Sequence, residues 1–303
     1  MRENMLQVME SGKILLADGA WGTMLHKRGL KAGACPELWN LEHPEIIEKI
    51  AADYIRAGAC IIETNSFGGS RIRLNEFGAA DKAAQLNELA ARLSRKAAGE
   101  EAWVMGSIGP SGKMLLLAQV SEEALYKAFS EQAQALERGG ADALCIETMM
   151  DLREAEVAIR SAVQNTRLPV FCTMTFQKGA AGKFHTMMGV SPEQMTATAK
   201  DAGAVAVGSN CGNGMAAMVE VARQIRSSDA AIPIIIQANA GVPENREGET
   251  VFPETAEEMA RHIPALIEAG ANIIGGCCGT DPAYIKKFAE VIEHYESASK
   301  TEE

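Results

Sequence analysis

Three cysteines stand in sequence contexts that favour chemistry over packing. Cys211 closely follows one apolar run, and Cys277 and Cys278 are adjacent at the end of another. Glycines surround the adjacent pair: Gly275, Gly276 and Gly279. Neighbouring strand residues point to opposite faces, so adjacent thiols can bind one ion only where the strand ends and the backbone bends. Two thiolates at about 2.3 Å from a tetrahedral Zn²⁺ are roughly 3.8 Å apart, which adjacent residues can reach, so the pattern predicts a zinc site.

Two other interpretations of these cysteines exist. A disulfide between adjacent residues would be strained, because their Cα atoms are closer than the ~4.4 Å lower limit usual for a disulfide. All three could instead be small buried hydrophobes, as we expect for Cys60, Cys145 and Cys172 inside apolar runs. The glycines and the third cysteine favour zinc. Three protein ligands leave one position open, as in catalytic sites, and an all-sulfur set suits a nucleophilic thiolate better than an activated water.

Eight short apolar runs supply the scaffold that must bring these cysteines together. Most of them are continuously apolar, which is typical of a parallel sheet covered on both faces. Helical segments lie between them, with start signals at Ser191, Thr255 and Asp281. The predicted strands span 14–17, 60–63, 103–107, 143–147, 170–174, 204–208, 232–237 and 272–275. Eight such units in 303 residues predict a single-domain α/β fold, the (β/α)₈ TIM barrel, with an open doubly wound sheet as the alternative.

The sequence predicts one domain followed by a short tail. We expect the barrel to span 1–295 and a polar tail at 296–303 to be disordered.

The composition limits the partners and the location of the protein. A net charge of −11 disfavours nucleic acid and anionic membrane surfaces as partners. The longest apolar runs are far shorter than the roughly 20 residues that span a bilayer, and the N-terminus lacks a secretory apolar segment. Seven cysteines, an odd number, also favour a reducing location, so we expect a cytoplasmic protein.

Chemistry in such a barrel takes place at the C-terminal ends of the strands. Polar, acidic and sulfur-bearing residues follow the predicted strands there: Asp18, Glu63, Thr64, Asn65, Ser107, Glu147, Asn210, Cys211, Asn239, Cys277 and Cys278. A phosphate-binding barrel would instead carry glycine-rich loops with basic support after its last two strands. Cysteines occupy that place, so we do not expect a phosphate ligand.

The residues at these strand ends resemble the homocysteine S-methyltransferase family over roughly residues 10–295. The resemblance is carried by Asp18-Gly19-Ala20-Trp21-Gly22-Thr23, Glu63-Thr64-Asn65-Ser66-Phe67, Gly106-Ser107-Ile108-Gly109-Pro110, Glu147-Thr148, Asn210-Cys211 and the run from Gly275 to Thr280. Members are zinc-dependent (β/α)₈ barrels that methylate homocysteine to methionine. The runs at 106–110, 239–243 and 250–253 are most similar to the homocysteine-binding module of cobalamin-dependent methionine synthase.

The resemblance implies a metal site that agrees with the pattern of cysteines. Cys211, Cys277 and Cys278 would bind Zn²⁺, and the homocysteine thiol would take the open position as a thiolate that attacks a methyl group. Asn239 would be the fourth ligand when substrate is absent.

The resemblance also implies how the amino-acid end is bound. The backbone N–H groups of Gly19, Ala20, Trp21, Gly22 and Thr23 would form a nest for the carboxylate. Asp18 and Glu147 would bind the ammonium group, with Asn65 and Ser107 as further contacts. Asp18 could instead shape a turn, and Asn65, like Glu63, could belong to a structural network across the strand ends.

The methyl donor is expected to come from outside the chain, because no cobalamin-ligating Asp-x-His-x-x-Gly run is present. The resemblance favours a separate methylcorrinoid protein that docks over the barrel mouth. A small sulfonium or betaine donor is the alternative, but an ammonium donor needs an aromatic cage, and only Trp21, Phe67 and Phe176 are expected near the mouth. Trp21 and residues 183–189 depart from the family pattern, so the acceptor could be another thiol.

A hypothesis of another class is a non-catalytic zinc or redox-sensing module that acts through Cys277 and Cys278. Such a module needs the metal but no amino-acid site. The acidic residues Asp18 and Glu147 therefore favour the enzyme.

Overall fold

Eight parallel strands surround the centre of the structure, a computed structural model that describes residues 4–179, 182–246 and 249–299. Hydrogen bonds pair the strands in the order β1-β8-β7-β6-β5-β4-β3-β2. A parallel bridge between Ala17 and Ile61 joins the two remaining edges, so the predicted (β/α)₈ barrel is confirmed over the open sheet. The strands are β1 (Leu15–Leu16), β2 (Ile61–Glu63), β3 (Trp103–Ile108), β4 (Ala143–Met149), β5 (Val170–Met174), β6 (Ala206–Asn210), β7 (Ile234–Ala238) and β8 (Ala271–Gly276).

A principal helix follows each strand and covers the outside of the barrel. These helices are α1 (Pro44–Arg56), α2 (Ala83–Ala98), α3 (Glu122–Arg138), α4 (Leu152–Asn165), α5 (Pro192–Ala202), α6 (Met215–Ser228), α7 (Ile263–Glu268) and α8 (Pro282–Ser299). The predicted capping boxes are present at Ser191 and Thr255, where the side chain and the third helical residue bond each other's backbone. Within the described ranges, no helix combines the length and apolar character needed to cross a membrane.

Shorter elements occupy the connections. Short α-helices span Met5–Glu10, Trp21–Lys27, Trp39–Glu42, Arg71–Leu74 and Ala256–Ala260, and 3₁₀ turns span Pro36–Leu38, Asn75–Phe77, Ala80–Lys82 and Leu115–Leu117. Two antiparallel hairpins extend the loops after β5 and β7: Gln177–Lys178 with Phe184–His185, and Glu244–Arg246 with Glu249–Val251. Both hairpins lie on the side of the barrel where the strands end.

The helix Met5–Glu10 closes the N-terminal end of the barrel. Met5, Val8 and Met9 are buried and pack in one cluster with strand side chains that include Leu15 and Phe171. Burying an apolar side chain of this size contributes roughly 1.5–3 kcal/mol relative to leaving it exposed. Apolar side chains thus fill this end of the barrel, and the polar interior side chains lie at the C-terminal end.

Two predicted boundaries differ from the structure. The sixth strand is Ala206–Asn210 rather than 204–208, so Asn210 lies inside the sheet and Cys211 is the first residue after it. The last helix continues to Ser299, and Glu296 Oε1 accepts a hydrogen bond from the backbone N–H of Ile14 at 3.1 Å. The tail predicted from 296 is therefore helical up to 299, and residues 300–303 lie outside the described ones.

Candidate metal and substrate site

The three predicted cysteines meet at the C-terminal end of the barrel. Their Sγ atoms all lie within 4.8 Å of one another, and Cys211 Sγ is 3.9 Å from Cys278 Sγ. Strands β6 and β8 bring them there because both pair with β7. The backbone bends directly after β8, where Cys277 N–H donates to Ala238 and Thr280 N–H donates back to the Cys277 carbonyl. This bend lets two adjacent side chains reach one point.

The glycines around the pair contribute in two different ways. Gly279 has a φ of +86°, a left-handed conformation that favours glycine. Gly276 does not have a positive φ, and its lack of a side chain permits close packing instead, since a Cβ there would be 2.3 Å from Thr280 Oγ1. The prediction of backbone freedom therefore holds at Gly279, while Gly276 is needed for the close approach of the loop to the strand.

The electrostatics of the cluster fit a cation. Hydrogen bonds from the thiols of Cys277 and Cys278 lower the pKa of Cys211 to about 3, and the same contact raises the pKa of Cys278 to about 12. The other two thiols thus stabilise a thiolate at Cys211 through hydrogen bonds. The Asn239 side chain contacts Cys211, and its buried Oδ1 has no hydrogen-bond partner. Three thiols that can converge on one point are a donor set that fits tetrahedral Zn²⁺ with one position open, and Asn239 as the fourth ligand stays a prediction.

A cavity of about 250 Å³ opens beside the sulfurs. It is smaller than the roughly 300–1,000 Å³ typical of pockets for drug-sized ligands, so it suits a small molecule. Asp18 and Asn239 do not line it. The other predicted site residues do: Gly19, Ala20, Trp21, Gly22, Thr23, Asn65, Ser107, Glu147, Cys211, Cys277 and Cys278.

The predicted nest of backbone N–H groups is the first turn of the helix Trp21–Lys27. Ala20 occupies the N-cap position and offers no side-chain cap, so the first N–H groups of the helix lack a capping acceptor. The N–H of Ala20 itself is bonded to Thr280 Oγ1 at 3.2 Å. The groups available to an anion are therefore those of the helix's first turn, and Ala20 is not one of them.

Asp18 lies beneath the cavity wall and is fully buried. Its Oδ2 accepts hydrogen bonds from Trp21 Nε1 and from the backbone N–H of Glu63, both at 2.9 Å. Burial, together with the nearby carboxylate of Glu63, raises the pKa of Asp18 well above its usual range. Oδ2 of Asp18 thus positions Trp21, while its buried Oδ1 has no hydrogen-bond partner, and the predicted contact with the ammonium group stays a prediction.

Glu147 lies on the cavity wall at the end of β4 and is held from two sides. Its Oε1 accepts a hydrogen bond from Ser107 Oγ, and its Oε2 accepts one from Asn210 Nδ2 at 3.3 Å. Burial and the charge of Glu63 raise the pKa of Glu147 well above its usual range. Ser107 thus orients Glu147.

Asn65 lines the cavity, but its amide group is engaged elsewhere. Asn65 Nδ2 donates to the Pro36 carbonyl at 2.8 Å and to Asn40 Oδ1 at 3.0 Å. Asn40 in turn donates to the carbonyls of Asn65 and Leu86. These contacts match the structural network that was the alternative for Asn65.

The structure gives specific contacts to Glu63 and Asn210, two strand-end residues that the sequence did not assign to substrate or metal. Glu63 lies on the cavity wall, and Gln237 Nε2 donates to its Oε1 at 3.0 Å. Asn210 connects several parts of the site, because its Oδ1 accepts from the N–H of Thr148 and from Thr173, while its Nδ2 lies 3.9 Å from Cys277 Sγ. The predicted sixth strand ends at 208, so the sequence places Asn210 after the strand, whereas in the structure it is the last residue of β6.

Replacement of Asn210 by alanine is expected to lower the free energy of unfolding by about 1–3 kcal/mol, because buried groups on Glu147 and Thr148 lose their partners. Thr148 has a φ of +58°, which is unfavourable for a β-branched residue and needs this support. Urea denaturation measures the change. Gln224, a half-buried residue whose amide makes an exposed hydrogen bond to Glu220, should shift stability by less than about 0.5 kcal/mol when replaced in the same way. Equal effects of the two changes would contradict the assigned role.

Comparisons with known proteins agree with this geometry. The family model for Homocysteine S-methyltransferase matches residues 15–292. Methionine synthase from Mycobacterium tuberculosis is 31% identical over 302 residues, covering 93% of this chain and 25% of that protein. The methionine synthase of Mycobacterium leprae is also 31% identical, over 300 residues, covering 92% and 24%. The chain thus spans about a quarter of the length of these relatives.

A solved structure extends the similarity to the whole barrel. The homocysteine methyltransferase MmuM from Escherichia coli, in its metallated form, superposes with a TM-score of 0.78 at 25% identity, covering 95% of this chain and 99% of that one. Its oxidised form gives 0.77 at 26% identity. Because the family model covers nearly the whole chain, the protein belongs to the homocysteine S-methyltransferase family.

Proposed function

We propose that the protein transfers a methyl group to the thiol of homocysteine and forms methionine. The observation that supports this most is one small cavity whose wall contains both the cluster of Cys211, Cys277 and Cys278 and the buried carboxyl group of Glu147. Zn²⁺ held by the three cysteines, with Asn239 as fourth ligand in the absence of substrate, would lower the pKa of the substrate thiol and make it nucleophilic at neutral pH.

The ammonium and carboxylate groups of homocysteine would each contact groups of opposite charge or dipole on the cavity wall. Glu147, held by Ser107 and Asn210, binds the ammonium group. Among the residues that the structure describes, no lysine, arginine or histidine lines the cavity. The carboxylate is therefore bound by backbone N–H groups at the start of the helix Trp21–Lys27. The substrate is thereby oriented with its thiol toward the sulfur cluster.

A methylcorrinoid protein that docks over the mouth is the donor that fits best. Exposed apolar side chains are concentrated in loops that follow the barrel strands, and among them Leu116 is 77% and Met187 72% exposed. The exposed apolar side chains of these loops are Phe67, Met114, Leu116, Leu117, Met187, Met188 and Val242. Such exposed apolar surface is typical of a site that binds a protein partner. The similarity to two methionine synthases also supports a protein donor.

A small sulfonium or betaine donor is less well supported. Trp21 and Phe67 line the cavity, but Phe176 is fully buried and does not. Two rings make an incomplete cage for a quaternary ammonium group.

The state of the cysteines bears on the location of the protein. All seven cysteines are free thiols, and a centre that depends on reduced thiols fits the cytoplasm.

Titration of homocysteine into the zinc-loaded protein tests the proposal. We expect homocysteine to bind and to release about one proton more than 2-aminobutyrate, measured by calorimetry in two buffers of different ionisation enthalpy, because the thiol loses its proton on binding. The matched control is 2-aminobutyrate, which has the same amino-acid end and no thiol, so protons that the ammonium group displaces from the buried carboxyl groups are common to both ligands. Zinc-loaded protein that binds no homocysteine would overturn the proposal and favour the non-catalytic zinc or redox module.

A donor assay follows from the same preparation. A methylated corrinoid protein, a methylsulfonium compound and betaine are each supplied with homocysteine, and methionine is measured. Of the three donors, we expect only the methylated corrinoid protein to give methionine. Turnover with either small donor would replace this part of the proposal, and turnover with another thiol but not with homocysteine would change the acceptor.

A further inference from the structure

A buried hydroxyl group connects two segments of the site that are far apart in the sequence. We call residues 277–280, which include two cysteines of the cluster, the cysteine loop, and residues 19–23, which line the cavity, the first wall segment. Thr280 is fully buried between them. Its Oγ1 donates to the Cys277 carbonyl at 2.7 Å and accepts from the N–H of Ala20 at 3.2 Å. One side chain thus holds both segments.

Two further hydrogen bonds join the end of the barrel at β8 to the chain that follows β1. The N–H of Gly279 donates to Thr23 Oγ1 at 3.1 Å. The N–H of Gly276 donates to the Asp18 carbonyl at 2.9 Å. With the bond from Ala20 to Thr280, the first wall segment is tied to the region of the cysteines before its start, near its start and at its end.

The space around Thr280 leaves little freedom for the two segments to move separately. A Cβ on Gly19 would lie 2.8 Å from Thr280 Oγ1, and a Cβ on Gly276 would lie 2.3 Å from it. Neither glycine has a positive φ, so both are needed for close approach and not for their backbone conformation. Because the hydroxyl is packed between two backbones, a displacement of the cysteine loop is passed on to the first wall segment.

We propose that Thr280 is a positioning residue that couples metal binding by the cysteine loop to binding of the acceptor's amino-acid end by the first wall segment. This inference rests on the proposed function, in which Cys277 and Cys278 hold zinc and the wall contacts the amino acid. Cysteines that are fixed by a metal fix the Cys277 carbonyl, and Thr280 then fixes Ala20. A ligand with the amino-acid end alone should therefore bind more tightly to the metal-loaded protein.

Binding of 2-aminobutyrate to the zinc-loaded and the zinc-free protein, measured by calorimetry with all thiols kept reduced, tests the inference. In the wild-type protein we expect zinc to raise the affinity roughly 5- to 150-fold, the usual range for coupled sites. Thr280→Val keeps the size of the side chain and removes the hydroxyl, so this ratio of affinities should fall roughly 2- to 12-fold, the range for one neutral hydrogen bond. Thr280→Ser keeps the hydroxyl and should retain the wild-type ratio.

Thr196→Val is the matched control. Thr196 is also buried, but its hydroxyl donates to the Pro192 carbonyl within α5 at 2.8 Å, so its loss should leave the ratio unchanged. If Thr280→Val weakens 2-aminobutyrate equally with and without zinc, or changes neither affinity, Thr280 is a structural residue and the inference is overturned. If that variant does not fold, Thr23→Val, which removes the acceptor for Gly279, should lower the ratio, and an unchanged ratio overturns the inference.

Failure of the inference can be distinguished from failure of the proposed function. Zinc-loaded wild-type protein that binds homocysteine, but binds 2-aminobutyrate equally with and without zinc or not at all, keeps the proposed function and overturns the coupling. Zinc-loaded wild-type protein that binds no homocysteine overturns the proposed function itself.

Discussion

Replacement of Cys277 by alanine is expected to lower the zinc content from about one per chain to near zero and to abolish methyl transfer. Cys277 Sγ lies within 4.8 Å of both other sulfurs. Its removal leaves two thiols and the amide of Asn239, a set too weak to hold the ion in a tetrahedral site with one open position.

Elemental analysis of purified protein measures the metal, and calorimetry in two buffers measures the proton released by homocysteine. Cys60→Ala is the matched control. Cys60 is another free thiol of the barrel, but its Sγ donates to the Leu16 carbonyl at the other end of the strands. It should leave the zinc content unchanged. Full zinc content in Cys277→Ala would place the metal elsewhere and contradict the site.

The cysteine cluster could be predicted because its signal is local. Adjacent thiols among glycines restrict the possible chemistry, and the barrel pattern places the ends of β6 and β8 close together. The barrel itself was predictable for a similar reason, since each strand shows its own apolar run and each helix its own start signal. Such features depend on residues within a few positions of one another.

The roles of Asp18 and Glu63 depend instead on contacts between distant residues. Asp18 Oδ2 accepts hydrogen bonds from the indole of Trp21 and from the backbone of Glu63, 45 positions along the chain. Glu63 is set by Gln237, 174 positions away. Nothing in the local sequence shows whether a carboxylate lies on the cavity wall or beneath it, and the ammonium contact of Asp18, which the family resemblance implies, stays a prediction.

The C-terminal end of α8 could not be predicted for the same reason, because it too depends on a contact with a distant residue. The chain from 296 is polar, which indicates a disordered tail when it is considered alone. In the structure, Glu296 accepts a hydrogen bond from the N–H of Ile14, 282 positions away, and the helix continues to Ser299. A terminal segment is ordered when distant contacts hold it, and the sequence of the segment does not contain that information.

Replacement of Glu147 by glutamine is expected to weaken homocysteine binding roughly 10- to 150-fold while zinc remains bound, because the ammonium group loses a charged partner. Glutamine keeps the size of the side chain, and its amide can keep an oxygen toward Asn210 Nδ2 and turn its NH₂ toward the Ser107 hydroxyl, which can accept. The expected loss therefore reflects the missing charge. Binding of 4-mercaptobutanoate, which has no ammonium group, should change much less.

Calorimetry on zinc-loaded protein measures the affinity, with zinc content determined on the same samples. Glu154→Gln is the matched control: Glu154 is a buried carboxylate too, but it accepts from the N–H of Ser111 and does not line the cavity. It should leave the affinity for homocysteine unchanged. A redox or zinc-sensing module has no need of Glu147, so it predicts equal behaviour of the two variants. A loss of homocysteine affinity in Glu147→Gln but not in Glu154→Gln would favour the enzyme over the sensor. Only a protein with an amino-acid site requires a carboxylate at the position of Glu147.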